Sequence, residues 1–267
     1  MNSVLTAFIL TLIAGLATGI GSLIAFFAKK TNTKFLCLSL GFSAGVMIYV
    51  SMVEIFQQAN KSLVLGLGEK LGSTVNVISF FAGIFIIAII DKLVPNAENP
   101  HEIKNVEDID EDKIKKNKSL LRTGLFTALA ITIHNFPEGL ATFVSALNNV
   151  SLAIPITVAI AIHNIPEGIS VSVPIYYATG DKKKAFLYSF LSGMSEPLGA
   201  VIGYTLLRNF FNDITLGVLL SAVAGIMVFI SLDELLPTAR EYGEHHISIY
   251  GLIAGMAVMA ISLIMFI

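Results

Sequence analysis

Long apolar runs alternate with short polar breaks along the chain, and each run is about the length a helix needs to cross ~30 Å of hydrocarbon at about 1.5 Å per residue. Eight runs can be marked, at 4–28, 35–57, 72–94, 121–146, 150–178, 184–208, 213–236 and 247–267. They predict an all-α polytopic membrane protein with eight transmembrane helices. The first run has no basic residue ahead of it and no small-residue cleavage site leading into a soluble domain, so it is read as a span and not as a removed signal peptide. The whole chain, 1–267, is then one transmembrane domain. One break stands apart. The stretch 96–118 is rich in Asp, Glu, Lys and Asn with almost no apolar content, and is expected to be a mobile loop between the third and fourth spans.

Composition supports a bilayer: 55% of residues are apolar and 13% charged, against about a quarter charged in soluble domains. The net charge of −2, from 17 basic and 19 acidic residues, lacks the basic footprint of a nucleic-acid binder. The single cysteine, Cys37, excludes a disulfide framework, a Cys-based zinc ribbon and a Cys-ligated iron–sulfur cluster. Of the 17 basic residues, 14 fall on odd-numbered loops and their helix ends; Lys61, Lys70 and Arg208 are the exceptions. The positive-inside bias therefore puts both termini outside and 96–118 in the cytoplasm. The expected home is the inner (plasma) membrane, with lipid as a partner. A homodimer is compatible with the sequence, but nothing in it demands one.

Two segments repeat. Ala44-Gly-Val-Met-Ile-Tyr-Val-Ser-Met-Val-Glu54 matches Ala224-Gly-Ile-Met-Val-Phe-Ile-Ser-Leu-Asp-Glu234 at five of eleven positions. His134-Asn-Phe-Pro-Glu-Gly139 recurs as His163-Asn-Ile-Pro-Glu-Gly168. Alternating spans run in opposite directions, so both repeats point to an inverted-topology repeat with spans four and five at its centre, as in many secondary transporters.

The hexapeptides carry the chemistry. A carboxylate in mid-membrane costs at least about 2.5–3.5 kcal/mol, and Glu138, Glu167 and Glu196 all fall near the middle of their spans with no Lys or Arg at that depth. They would repel unless cations joined them. His134 and Glu138 are one helical turn apart and share a face, and Asn135 with Glu138 shares an adjacent one; His163, Asn164 and Glu167 repeat the pattern. Two facing helices can thus present two adjacent metal sites bridged by glutamates, with Glu196 closing the Asn-rich one. Pro137 and Pro166 have no N–H for the carbonyls of Ile133 and Ile162, so each helix is expected to bend there. Imidazole, carboxylate and amide oxygen suit Zn²⁺, Fe²⁺, Mn²⁺ or Co²⁺, and the lack of a thiol argues against Cu⁺.

At these residues the sequence resembles the ZIP family of divalent-metal transporters, across essentially the whole chain. That resemblance implies eight spans, a binuclear mid-membrane site and uptake of divalent ions into the cytoplasm, zinc foremost with Fe²⁺, Mn²⁺, Co²⁺ and Cd²⁺ behind it. Carried over, the first site takes His134, Glu138, His163 and Glu167; the second takes Asn135, Glu138, Asn164, Glu167 and Glu196. The ions are cargo, and no resident cofactor is implied. Many family members have a His-rich loop between spans three and four, whereas here His101 stands alone among acids, as a solvated loop residue.

Other signals are weaker. Glu54, Asp233 and Glu234 end the repeated spans, either as an entrance and an exit for cations or as carboxylates solvated at the interface. His245 and His246 begin the last span as surface histidines, and Met47 and Met227 read as core filler. Four Gly-xxx-Gly pairs, beginning at Gly15, Gly41, Gly199 and Gly251, allow close helix approach. A channel using the same site is the nearest rival function. An intramembrane metallohydrolase is a further one, disfavoured because His-Glu-x-x-His is absent and both glutamates are committed to metal.

Overall fold

The computed structural model describes residues 3–27, 33–93, 113–148, 150–207, 212–242 and 245–265, and every regular element among them is a helix. Helix α1 spans Ser3–Phe27. Helix α2, Thr33–Tyr49, runs through a π-helical segment, Val50–Ile55, into α3, Phe56–Leu67. Gly68, at φ 80°, reverses the chain into α4, Glu69–Leu93; that conformation is open to glycine and strained for other residues. Helices α5 and α6 cover Lys113–Asn148 and Val150–Thr179 and carry one hexapeptide each. Then come α7, Lys182–Gly193, and α8, Ser195–Leu207. Helix α9, Asp213–Ile230, passes through a second π segment, Ser231–Leu235, to α10, Leu236–Tyr242, before α11, His245–Met265.

Helices thus occupy all eight apolar runs. Seven of the described helical stretches are long and apolar enough to cross a membrane; α5 is not among them. Residues 94–112, which include most of the expected loop and His101, lie outside the described residues, and α5 begins at Lys113.

The run at 184–208 is one candidate span, Lys182–Leu206, with a single turn residue, Met194, between α7 and α8. Pro197 has no N–H to offer the Gly193 carbonyl, so one rung of the ladder is missing there, and it resumes with Leu198 N–H on the Met194 carbonyl. Serine hydroxyls take up nearby carbonyls: Ser195 donates to Ser192 at 2.6 Å and Ser192 to Ser189 at 2.7 Å. The break leaves Glu196 in the first turn of α8, where the positive end of the helix dipole favours a carboxylate.

Two sets of helices pack side by side. One is α1, α5, α6, α7 and α8; the other is α2, α3, α4, α9, α10 and α11, and the two meet through α2 and α11 on α6 and through α5 on α9. Within them the pairings come in twos. Helix α1 lies on α6 as α8 lies on α5, and α2 lies on α11 as α9 lies on α4. The two π segments fall at matching places of the Ala-Gly-x-Met repeat. Phe56 N–H bonds the Ser51 carbonyl in one, and Leu236 N–H bonds the Ser231 carbonyl in the other. Glycines set the close approaches. A Cβ on Gly41 or Gly45 would strike the backbone of α11, and one on Gly251 or Gly255 that of α2, so only glycine lets these backbones touch. Met47 and Met227 sit in the core, as expected of filler.

Candidate metal centre

The centre is built where α5 and α6 face each other. Asn135 and Glu138 on α5, His163, Asn164 and Glu167 on α6, and Glu196 on α8 are all 0% exposed. The His134 side chain lies outside the described residues, although its backbone belongs to α5. Both helices run continuously through Pro137 and Pro166.

His163 joins the two helices. Its Nε2 stands 2.9 Å from Glu138 Oε1, and its Nδ1 lies 3.2 Å from the Ala159 carbonyl oxygen. A carbonyl can only accept, so Nδ1 carries the proton in that contact, and Nε2 meets the carboxylate either through a second proton or as a lone pair. Two acceptors that close attract one another only through a shared proton or a cation. A backbone carbonyl holding Nδ1–H is also the usual way a ligating imidazole is oriented.

The asparagines are anchored by their amide nitrogens. Asn164 Nδ2 donates to the Ala14 carbonyl of α1 at 2.9 Å and also to Glu196 Oε1. Asn135 Nδ2 donates to the Ser192 carbonyl of α7 at 3.5 Å. With the amide N–H groups committed, both Oδ1 atoms remain as acceptors. Neither Oδ1, neither Glu138 oxygen and not Glu196 Oε2 has a hydrogen-bond donor among the described residues. Buried acceptors without donors are costly, and acceptors collected at one place suit a cation. Yet among the described residues no three His, Cys, Asp or Glu side chains are gathered into a ready-made metal cage.

The backbone around the two hexapeptides is matched. A Cβ on Gly139 would fall on the Glu196 backbone, and one on Gly168 on the Thr18 backbone; Gly199 meets Phe136 as Gly21 meets Ile165. Thr18 on α1 therefore holds the place on α6 that Glu196 on α8 holds on α5. This equivalence has no sequence signature beyond shared glycines, and sequence reasoning missed Thr18. It is 0% exposed, with no hydrogen-bond partner for Oγ1 among the described residues.

The weaker candidates lie elsewhere. Glu54 is half-buried on the first π segment; Asp233, exposed, and Glu234, half-buried, occupy the second. His246 is exposed and stacks on Tyr250, ring centroids 6.3 Å apart, while the His245 side chain lies outside the described residues.

Known proteins resemble this chain along nearly its whole length. A family model described as "ZIP Zinc transporter" matches residues 1–263. The chain is 75% identical to the zinc transporter ZupT of Clostridium perfringens, over 100% of this chain and 98% of that protein. It is 66% identical to the zinc transporter ZupT of Streptococcus mutans over 98% of each, and 62% identical to that of Chlorobium chlorochromatii over 99% of each.

Proposed function

The chain belongs to the ZIP zinc transporter family, and from that premise we propose that it carries divalent metal ions, zinc foremost, across the cell membrane and into the cytoplasm. Its relatives are named zinc transporters, and family membership favours transport over hydrolysis. The ions are held at the α5–α6 interface. One site takes His134, Glu138, His163 and Glu167; the other takes Asn135, Glu138, Asn164, Glu167 and Glu196. Three carboxylates and two divalent ions make a near-neutral cluster, the condition under which such charges tolerate burial. Imidazole with carboxylate and amide oxygen also accommodates Fe²⁺, Mn²⁺, Co²⁺ and Cd²⁺, so discrimination is by degree.

The observation that carries this reading is the Glu138 carboxylate, 0% exposed, facing His163 Nε2 at 2.9 Å. The matched helix pairings support an inverted-topology repeat, in which α5 is the eighth span and access alternates as one helix set shifts against the other. Basic residues at Lys29, Lys30, Lys34, Lys92 and the start of α5 support an orientation with both termini outside and 96–118 in the cytoplasm.

The test is zinc and iron accumulation in cells producing wild type, Glu138→Ala or Glu167→Ala at matched membrane levels. Each substitution is expected to cut uptake by more than about 100-fold, since losing even an outer partner of a metal ligand costs about 10–100-fold. Unchanged accumulation in both variants sinks the assignment.

A further inference from the structure

The hexapeptides are alike, but the turns that follow them are not. After Glu138, α5 presents Thr142 one turn on and Ser145 two turns on, only 1% and 2% exposed. At the position one turn after Glu167, α6 presents Val171, followed by Ile175; both are 0% exposed and pack with Ala128, Ile131 and Ala185 as a small apolar cluster. A hydroxyl ladder leads away from Glu138 on α5, whereas the equivalent positions on α6 are Val171 and Pro174.

Both hydroxyl protons are already used. Thr142 Oγ1 donates to the Glu138 carbonyl at 3.0 Å, and Ser145 Oγ donates to Gln58 Oε1 on α3 at 3.2 Å. Their remaining lone pairs, and those of Gln58 Oε1, can only accept, which suits a cation or the waters it carries. Gln58 lies one turn after the half-buried Glu54 on a helix that runs the same way as α5, so Glu54 stands about level with Thr142, and the line of acceptors passes one carboxylate before it reaches Glu138. From Glu138 to Ser145 it climbs about 10 Å at 1.5 Å per residue. A structural role alone does not require a line of acceptors that passes one carboxylate on its way to another.

We propose that Thr142, Ser145 and Gln58 form a transfer site of neutral oxygens through which a partly hydrated divalent cation passes, by way of Glu54, to the Glu138 carboxylate. The Ser145–Gln58 bond, which ties α5 to α3 across the two helix sets, is the contact the ion displaces. This rests on the metal-transport reading of Glu138 and extends it to the ion's path. On the orientation proposed above, the ladder is the outer half of that path.

The experiment is initial zinc influx at subsaturating zinc, with the full chain in proteoliposomes enclosing a zinc dye. Gln58→Leu and Ser145→Ala are each expected to lower influx about tenfold, the equivalent of one lost polar contact. Zinc binding by the same variants in detergent should stay within twofold of wild type, because the mid-membrane ligands are intact. Gln58→Glu restores the oxygen and keeps influx. Gln58→Lys can still bond Ser145 but adds a fixed positive charge, and it should lower influx further than Gln58→Leu. A helix tie alone predicts that Gln58→Lys works as well as Gln58→Glu, and that result overturns the proposal; so does influx within twofold of wild type in both Gln58→Leu and Ser145→Ala. If Gln58→Leu does not fold, Thr142→Val combined with Ser145→Ala takes its place, with the same loss expected and the same twofold limit overturning the proposal. Glu138→Ala in the same vesicles separates the two claims. Full influx there removes the metal-centre reading itself, whereas lost influx beside unaffected Gln58 and Ser145 variants removes the transfer site alone.

Discussion

Helix α5 with its neighbour α8, and helix α6 with its neighbour α1, are built to one plan and finished differently. Each carries His-Asn-x-Pro-Glu-Gly, each lays the final glycine on its neighbour's backbone, and each anchors its asparagine to a carbonyl next door. Where the α5 side has Glu196, the α6 side has Thr18, and where α5 continues with Thr142 and Ser145, α6 has Val171 and Pro174 at the equivalent positions. Backbone contacts that repeat bring the two hexapeptides face to face. Whatever distinguishes the two sides of the membrane must then reside in the side chains that break the match.

The matched part is the easiest to break. Gly139→Ala would push a Cβ onto the Glu196 backbone, and Gly168→Ala one onto the Thr18 backbone, so two helices must separate in either case. Each is expected to cost about 3 kcal/mol, the upper end of overpacking penalties, seen as an equal fall in thermal unfolding temperature in detergent. A large loss for one and none for the other would show that the two approaches are not equivalent.

Glu196 tests the first mismatch. Glu196→Gln retains an oxygen for Asn164 Nδ2 and removes only the charge. Uptake is expected to fall about tenfold, as for a lost supporting ligand, while the unfolding temperature holds. Wild-type uptake would mean that the centre needs only the two hexapeptide glutamates.

Much of this was legible in the sequence. The hexapeptides announced themselves because five polar or helix-perturbing positions recurring in apolar runs have no compositional explanation, and six of the seven candidate ligands have described side chains buried at the α5–α6–α8 junction. The Ala-Gly-x-Met repeat was visible too, but not the π segments at its end. An extra residue per turn changes which carbonyl an N–H reaches without changing the apolar pattern. The break at Met194 was readable from Pro197, yet apolar length alone hides it. The kinship of Thr18 and Glu196 could not be read at all, since α1 and α8 share little more than the spacing of Gly15 and Gly21 with Gly193 and Gly199. Contacts are conserved there by the absence of side chains, which leaves little pattern to recognise.

A smaller effect is expected from a hydroxyl at the α6 position equivalent to Thr142. Val171→Thr keeps the shape and places a hydroxyl among Ala128, Ile131, Ile175 and Ala185. A buried hydroxyl without a partner costs about 1–3 kcal/mol, but a helical threonine can bond its own i−4 carbonyl, as Thr142 does on the other side. The net loss should therefore sit near the low end, about 1 kcal/mol, measured by thermal unfolding. A loss of about 3 kcal/mol or more, the full penalty of an unpartnered hydroxyl, would mean that the cluster tolerates no polarity, and that the two sides differ in kind and not by one or two residues.

The smallest effect has the opposite sign. Thr18 Oγ1 is buried without a hydrogen-bond partner among the described residues, although the Thr18 carbonyl accepts from Ser189 Oγ at 3.5 Å. Thr18→Val leaves that carbonyl and the close contact with Gly168 in place, and replaces an idle hydroxyl with a methyl of nearly the same shape. Removing a buried polar group that makes no bond returns its desolvation cost, so stability should rise by up to about 1 kcal/mol. Zinc uptake should not change, because the residue standing opposite Glu196 brings no charge to the cluster. Should Thr18→Val instead slow uptake severalfold with folding intact, the hydroxyl serves the ion, and the side of the centre that lacks a third carboxylate is nonetheless in use.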